Sequence, residues 1–192
     1  ILSLSAVAVV GGLPDMKAAI REHWAVVGGY QPGDAFTISA TPDGLALLYE
    51  GGVQEGAARA LERALLDAPQ ARTLVLTSSG GWLKEGQAMA AVVRRFNLNT
   101  AAREQCASAC TVVLLAGVNR TAEPGARIGF HRGRSIGESA HDRAPPSSED
   151  EAAIYLQAGL SRDFVGRIMR TPNHAIWEPT RRELLRAGVL TR

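Results

Sequence analysis

Thr73-Leu74-Val75-Leu76-Thr77-Ser78-Ser79-Gly80-Gly81 is the stretch from which the rest of the chain can be read. Five apolar or β-branched residues in a row suit a strand buried on both faces. The paired glycines after it let the backbone turn sharply and bare its N–H groups. Residues 82–96 then place Leu83, Ala90, Val93 and Phe96 on a helical period. The order strand, glycine turn, helix recurs downstream, with a strand expected over 99–103, a helix over 107–116 and a strand over 127–130. Such alternation predicts βαβ units around a parallel sheet, with functional residues gathered at the strand ends.

Upstream, 36–40 and 45–49 are short apolar runs around Thr41-Pro42-Asp43-Gly44, which has the turn chemistry of a hairpin. A helix over 54–68 comes next, closed by Pro69. Downstream, 133–150 holds Gly, Ser and Pro145-Pro146 with few apolar residues and reads as a mobile loop. Helices are expected over 149–158 and, capped by Ser161, over 161–169. Thr180-Arg181-Arg182-Glu183 has the form of a capping box opening a helix that ends near Gly188.

A chain of 192 residues with 46% hydrophobic and 21% charged residues can bury one substantial core. Residues 34–192 are therefore read as a single domain. The net charge of +2 is spread along the chain without a basic run longer than a pair, and a polyanion surface needs clustered charge, so nucleic acid is not an expected partner. The first ten residues, Ile1 to Val10, are apolar except for Ser3 and Ser5, too short a run to span a bilayer. The segment 1–33 reads as the end of a membrane anchor, as part of a signal region or as a buried first element, and membrane association through it stays open.

Cys106 and Cys110 are the two cysteines and flank Ser108. No further Cys or His lies close in sequence, so neither a metal nor another cofactor is expected. Two readings of the pair stay open: buried small apolar side chains, or a disulfide, which belongs to an oxidising compartment. Ser108 stands at the start of a predicted helix, where unpaired N–H groups and the helix dipole favour negative charge. Its bland reading is an N-cap. His131 directly follows an apolar strand. A neutral imidazole that meets a serine hydroxyl can take its proton and activate it as a nucleophile.

Three segments, Ser79-Gly80-Gly81 with Gly86, Ala107-Ser108-Ala109 and Ile128-Gly129-Phe130-His131, with 183–190 after them, stand in a distinctive order, with a separation of 23 residues from Ser108 to His131. In this the chain resembles the Clp protease proteolytic subunit and its crotonase-like relatives, closest to periplasmic Clp-like homologues of bacteria. The resemblance implies an α/β fold of repeated ββα units in a spiral with C-terminal helices. It also implies a serine peptidase site: Ser108 as nucleophile, His131 as base, and the N–H groups of Gly81 and Ala109 as oxyanion hole. Peptide or protein substrates, self-assembly and an extracytoplasmic location go with it. Where the family carries an aspartate, this chain reads Thr171-Pro172-Asn173-His174-Ala175-Ile176-Trp177. Asn173 is the candidate third residue and His174 the poorer alternative, because a neutral amide can orient an imidazole but cannot stabilise its cation as a carboxylate does. The missing carboxylate motivates a second reading, a weak or inactive relative that binds peptides or a partner through the same groove. A thioester-handling crotonase would draw on Glu85, and a Ser-Lys dyad on Lys17 or Lys84.

Overall fold

A computed structural model of the chain describes residues 35–133 and 149–192. The expectations for 1–33, and for nearly all of the loop 133–150, lie outside the described residues. Strands β1 (Thr37–Ala40) and β2 (Ala46–Glu50) form the expected antiparallel hairpin. In its turn the Gly44 N–H donates to the Thr41 carbonyl at 2.8 Å, while Asp43 accepts the Leu45 N–H. Helix α1 (Ala57–Asp67) leads to β3 (Thr73–Ser78), which pairs in parallel with β2. Leu74, Leu76 and Ser78 are buried, whereas Thr73, Val75 and Thr77 are only partly so. The expectation of a strand buried on both faces is corrected on this point, because the two faces of the sheet are covered unequally.

Helix α2 (Leu83–Arg95) leads into β4 (Asn99–Ala107), which runs four residues beyond the expected strand. The extension is made by an irregularity: Leu76 pairs with Ala102 but Ser78 pairs with Cys106, so β4 carries two extra residues, and Glu104 there has φ 45°. Extra residues of this kind bend a strand and re-aim the side chains beyond the bend. The first half of β4 pairs in parallel with β5 (Arg120–Ala122) and the second half with β6 (Arg127–Gly129). Helix α3 (Ala109–Leu114) lies between β4 and β5 and is shorter than the predicted 107–116. Helices α4 (Glu149–Gln157), α5 (Arg162–Arg170) and α6 (Arg181–Arg186) complete the described chain. Ser161 caps α5, and Thr180 with Glu183 forms the full capping box of α6.

One hydrophobic cluster runs from Leu47 in β2 to Leu190 and draws on every described helix. Phe130 is wholly buried, edge-on to both Tyr155 of α4 and Phe164 of α5, and tilted against Trp177. Four aromatic rings thus fix the end of β6 against the C-terminal helices. His131 is the next residue along.

Candidate active site

Ser108 joins the end of β4 to α3 with φ 53° and ψ −127°, a conformation that a non-glycine residue adopts at a cost. Its side chain makes no capping hydrogen bond, so the bland reading of an N-cap fails and the hydroxyl is left to other work. Three attachments hold the elbow. The Ser108 N–H donates to the Gly129 carbonyl at 3.0 Å, and its carbonyl accepts from the Thr111 hydroxyl at 2.7 Å. Cys106 and Cys110 on either side are joined by a buried disulfide, with their Cα atoms 5.3 Å apart.

The glycine turn lies directly against this elbow. A Cβ placed on Gly80 would stand 2.6 Å from Ser108 Cβ and 3.2 Å from the Ala109 nitrogen. Gly80 has φ 107° and Gly81 φ 147°, backbone that only glycine holds easily. Val53 bridges this turn: its N–H donates to the Gly80 carbonyl and its carbonyl accepts from Trp82. That pairing does not use the Gly81 N–H. The Ala109 N–H, in the first turn of α3, likewise has no partner within its helix. The Gly81 and Ala109 N–H groups, left out of these pairings, lie on the two segments that meet at Ser108.

His131 reaches the same sheet edge by register. Ala107 pairs with Gly129 in parallel, and Ser108 and His131 leave these neighbouring strands at their C-terminal ends. The His131 Nδ1 lies 2.7 Å from the Arg132 carbonyl oxygen. A carbonyl only accepts, so Nδ1 carries the proton and Nε2 presents a lone pair, the tautomer a general base needs. Burial pulls the imidazole below its ordinary value of 6.5, and the Arg132 carbonyl opposes that shift. Among the described residues no direct hydrogen bond joins the Ser108 hydroxyl to His131. Such bonds are commonly long before substrate arrives and tighten in the complex.

The segment that carries Asn173 is tied down on both sides of His131. Phe130 exchanges backbone hydrogen bonds with Trp177, at 2.8 and 2.9 Å, and the Arg132 N–H donates to the Thr171 carbonyl at 3.0 Å. Asn173 thus sits in the loop that brackets the ring. Its amide nitrogen and oxygen are both buried without a hydrogen-bond partner among the described residues, and the acceptor on Nδ1 is the Arg132 carbonyl. Lys84 is exposed in the first turn of α2. Glu85 accepts the Ala58 N–H at 2.8 Å, which occupies the carboxylate that a thioester-handling site would require.

Residues that the sequence did not flag complete the surroundings. Burial raises the pKa of the Tyr155 hydroxyl, and the neighbouring Thr111 side chain opposes that shift. Glu151 of α4 accepts the Gly133 N–H with both carboxylate oxygens, at 2.7 and 2.9 Å. Nothing local in the sequence marks Glu151, since it stands in an acidic run that reads as a solvated helix start.

Fold and strand register together define an α/β protein with a Clp-like fold. Among solved structures the chain is similar to an Asn-to-Asp mutant of ClpP1 from Listeria monocytogenes, with a TM-score of 0.57 and 17% identity over 78% of this chain and 90% of that one. No family model and no curated protein matches the sequence.

Proposed function

We propose that the chain is a serine hydrolase that cleaves peptide bonds in peptides or unfolded protein segments. The observation that carries this reading is the Ser108 elbow: a hydroxyl free of capping, on strained backbone, packed against the turn at Gly80. In the proposed reaction the Ser108 oxygen attacks the scissile carbonyl carbon as His131 Nε2 takes the hydroxyl proton. The N–H groups of Gly81 and Ala109 hold the resulting oxyanion. Collapse breaks the C–N bond, and His131 returns the proton to the leaving amine. Water then repeats the sequence on the acyl-serine.

Asn173 stands in this proposal as the candidate third residue, in the segment paired with Phe130 and Arg132, while the Nδ1 proton is held by the Arg132 carbonyl. Trp82 and Ile176, both exposed and flanking the glycine turn and Gly129, offer an apolar surface to a substrate side chain. The buried Cys106–Cys110 bridge supports an extracytoplasmic place of work, since such bridges persist in oxidising compartments. Self-assembly, with relatedness to periplasmic Clp-like proteins, completes the reading, and exposed Leu66 and Val118 are apolar positions open to a second copy.

A fluorophosphonate probe tests the proposal. Labelling should occur in the unmodified protein, vanish in Ser108→Ala and persist when a distant serine is replaced. Binding of peptides with no labelling under any condition would support the alternative, a non-cleaving peptide binder.

A further inference from the structure

We propose that Glu151 supplies the negative charge missing beside His131, acting through the peptide group between Arg132 and Gly133. The imidazole Nδ1–H donates to the carbonyl of that peptide at 2.7 Å. The N–H of the same peptide donates to both oxygens of Glu151, at 2.7 and 2.9 Å. No peptide bond in the described chain is cis, so carbonyl and N–H point in opposite directions. Carboxylate, peptide and ring therefore form one chain of hydrogen bonds: Glu151, Gly133 N–H, Arg132 C=O, His131 Nδ1–H.

Hydrogen bonds in series polarise one another, and the effect grows where water is excluded. Glu151 is 5% exposed. A carboxylate drawing on the N–H makes the opposite carbonyl a stronger acceptor, which stabilises the imidazolium formed when Ser108 surrenders its proton. Glu151 is thus a positioning residue in the part that a triad carboxylate plays by direct contact. Other titratable residues on the elements around His131 include Arg127 on β6, Arg132 beside it, Glu149, Asp150 and Tyr155 on α4, His174 and Glu178 on the 171–178 segment, and Lys84 and Glu85 on α2.

This inference rests on the hydrolase reading for its consequence, but its test does not. The full chain is titrated by NMR, following the His131 ring and the Gly133 amide, in the unmodified protein, Glu151→Gln and Glu151→Asp. In the unmodified protein the Gly133 amide proton should move downfield as the ring gains its proton. Glu151→Gln keeps the shape without the charge and should lower the ring's midpoint by about one pH unit, with fluorophosphonate labelling about tenfold slower above it. Glu151→Asp should recover much of both. A ring midpoint in Glu151→Gln equal to that of the unmodified protein would overturn the relay. If Glu151→Gln fails to fold, a Gly133 amide that stays put or moves upfield in the unmodified chain overturns it alone. A shifted midpoint with no labelling of the unmodified protein would retain the relay and remove the hydrolase.

Discussion

Ser108 is held where glycine would sit more comfortably, and that sets stability against chemistry at a single position. Backbone in such a region costs about 1–3 kcal/mol, whereas a glycine introduces about 0.5–1 kcal/mol of extra chain entropy to be lost on folding. Ser108→Gly should therefore raise stability by about 1 kcal/mol in urea unfolding while abolishing fluorophosphonate labelling. Ser108→Ala keeps the Cβ and should abolish labelling with little change in stability. Equal midpoints for the two variants would show that the elbow stores no strain. The neighbouring glycine argues the opposite case. In Gly80→Ala the new Cβ meets Ser108 Cβ at 2.6 Å and the Ala107 carbonyl at 2.7 Å, on backbone at φ 107°. It should cost about 2 kcal/mol or more and displace Ser108 as well.

His131 carries the pH dependence. Its folded pKa lies below 6.5 because burial disfavours the cation. Between the folded value and 6.5 the unfolded chain binds more protons, so this group's contribution to stability falls as pH drops through that window and is complete above it. The acid limb of the labelling rate should likewise have its midpoint below pH 6.5. A midpoint above that value would mean that the ring is solvated or faces a charge not accounted for by this geometry.

The element that decides the site is β4 with its two halves, one on β5 and one on β6. The strand–turn–helix order from Thr73 to Phe96, the hairpin at Thr41 to Gly44 and the capping box at Thr180 were legible because each is set by neighbours in sequence. The path of β4 was not. Arg103-Glu104-Gln105 reads as the polar end of a strand, and only pairing with β3 and β6 shows that the chain bulges there and runs on to Ala107. Glu151 was hidden for the same reason, because its partner is the Gly133 amide, 18 residues away in sequence.

The Cys106–Cys110 bridge acts on this element at its critical end. The closed loop is short, so the chain-entropy model gives it about 2 kcal/mol, less than a bridge across distant elements would contribute. Its larger effect should be on geometry, since it ties the last residues of β4 to the first turn of α3 around Ser108. Treatment with a reductant, or paired Cys106→Ala and Cys110→Ala, should lower stability by about 2 kcal/mol and slow labelling about tenfold or more. An unchanged labelling rate in a folded, reduced protein would assign the elbow to its hydrogen bonds with Gly129 and Thr111 instead.

At the scale of the whole molecule, the C-terminal end of the described chain is fastened to the sheet edge far along the chain from the serine. Arg120 in β5 donates to the carbonyls of Gly117, Gly188 and Val189 at 3.1, 2.8 and 3.0 Å, while Thr191 and Arg120 exchange further hydrogen bonds. Burial lowers the guanidinium's pKa, but from a value so high that the group stays charged. The tie seats Val189 and Leu190, both buried in the common core. Arg120→Ala leaves three carbonyls without their charged donor and removes the packing of the arginine stem. Part-burial lets water replace some of those bonds, which brings the expected loss down to about 2 kcal/mol. For a chain of this size that corresponds to a melting temperature about 4–8 °C lower. Well below that temperature Ser108 labelling should keep its rate, because the elbow, the glycine turn and the strand end of His131 have their own attachments. A rate that falls in proportion to the lost stability would mean that the C-terminal tie and the Ser108 elbow open together as one cooperative unit.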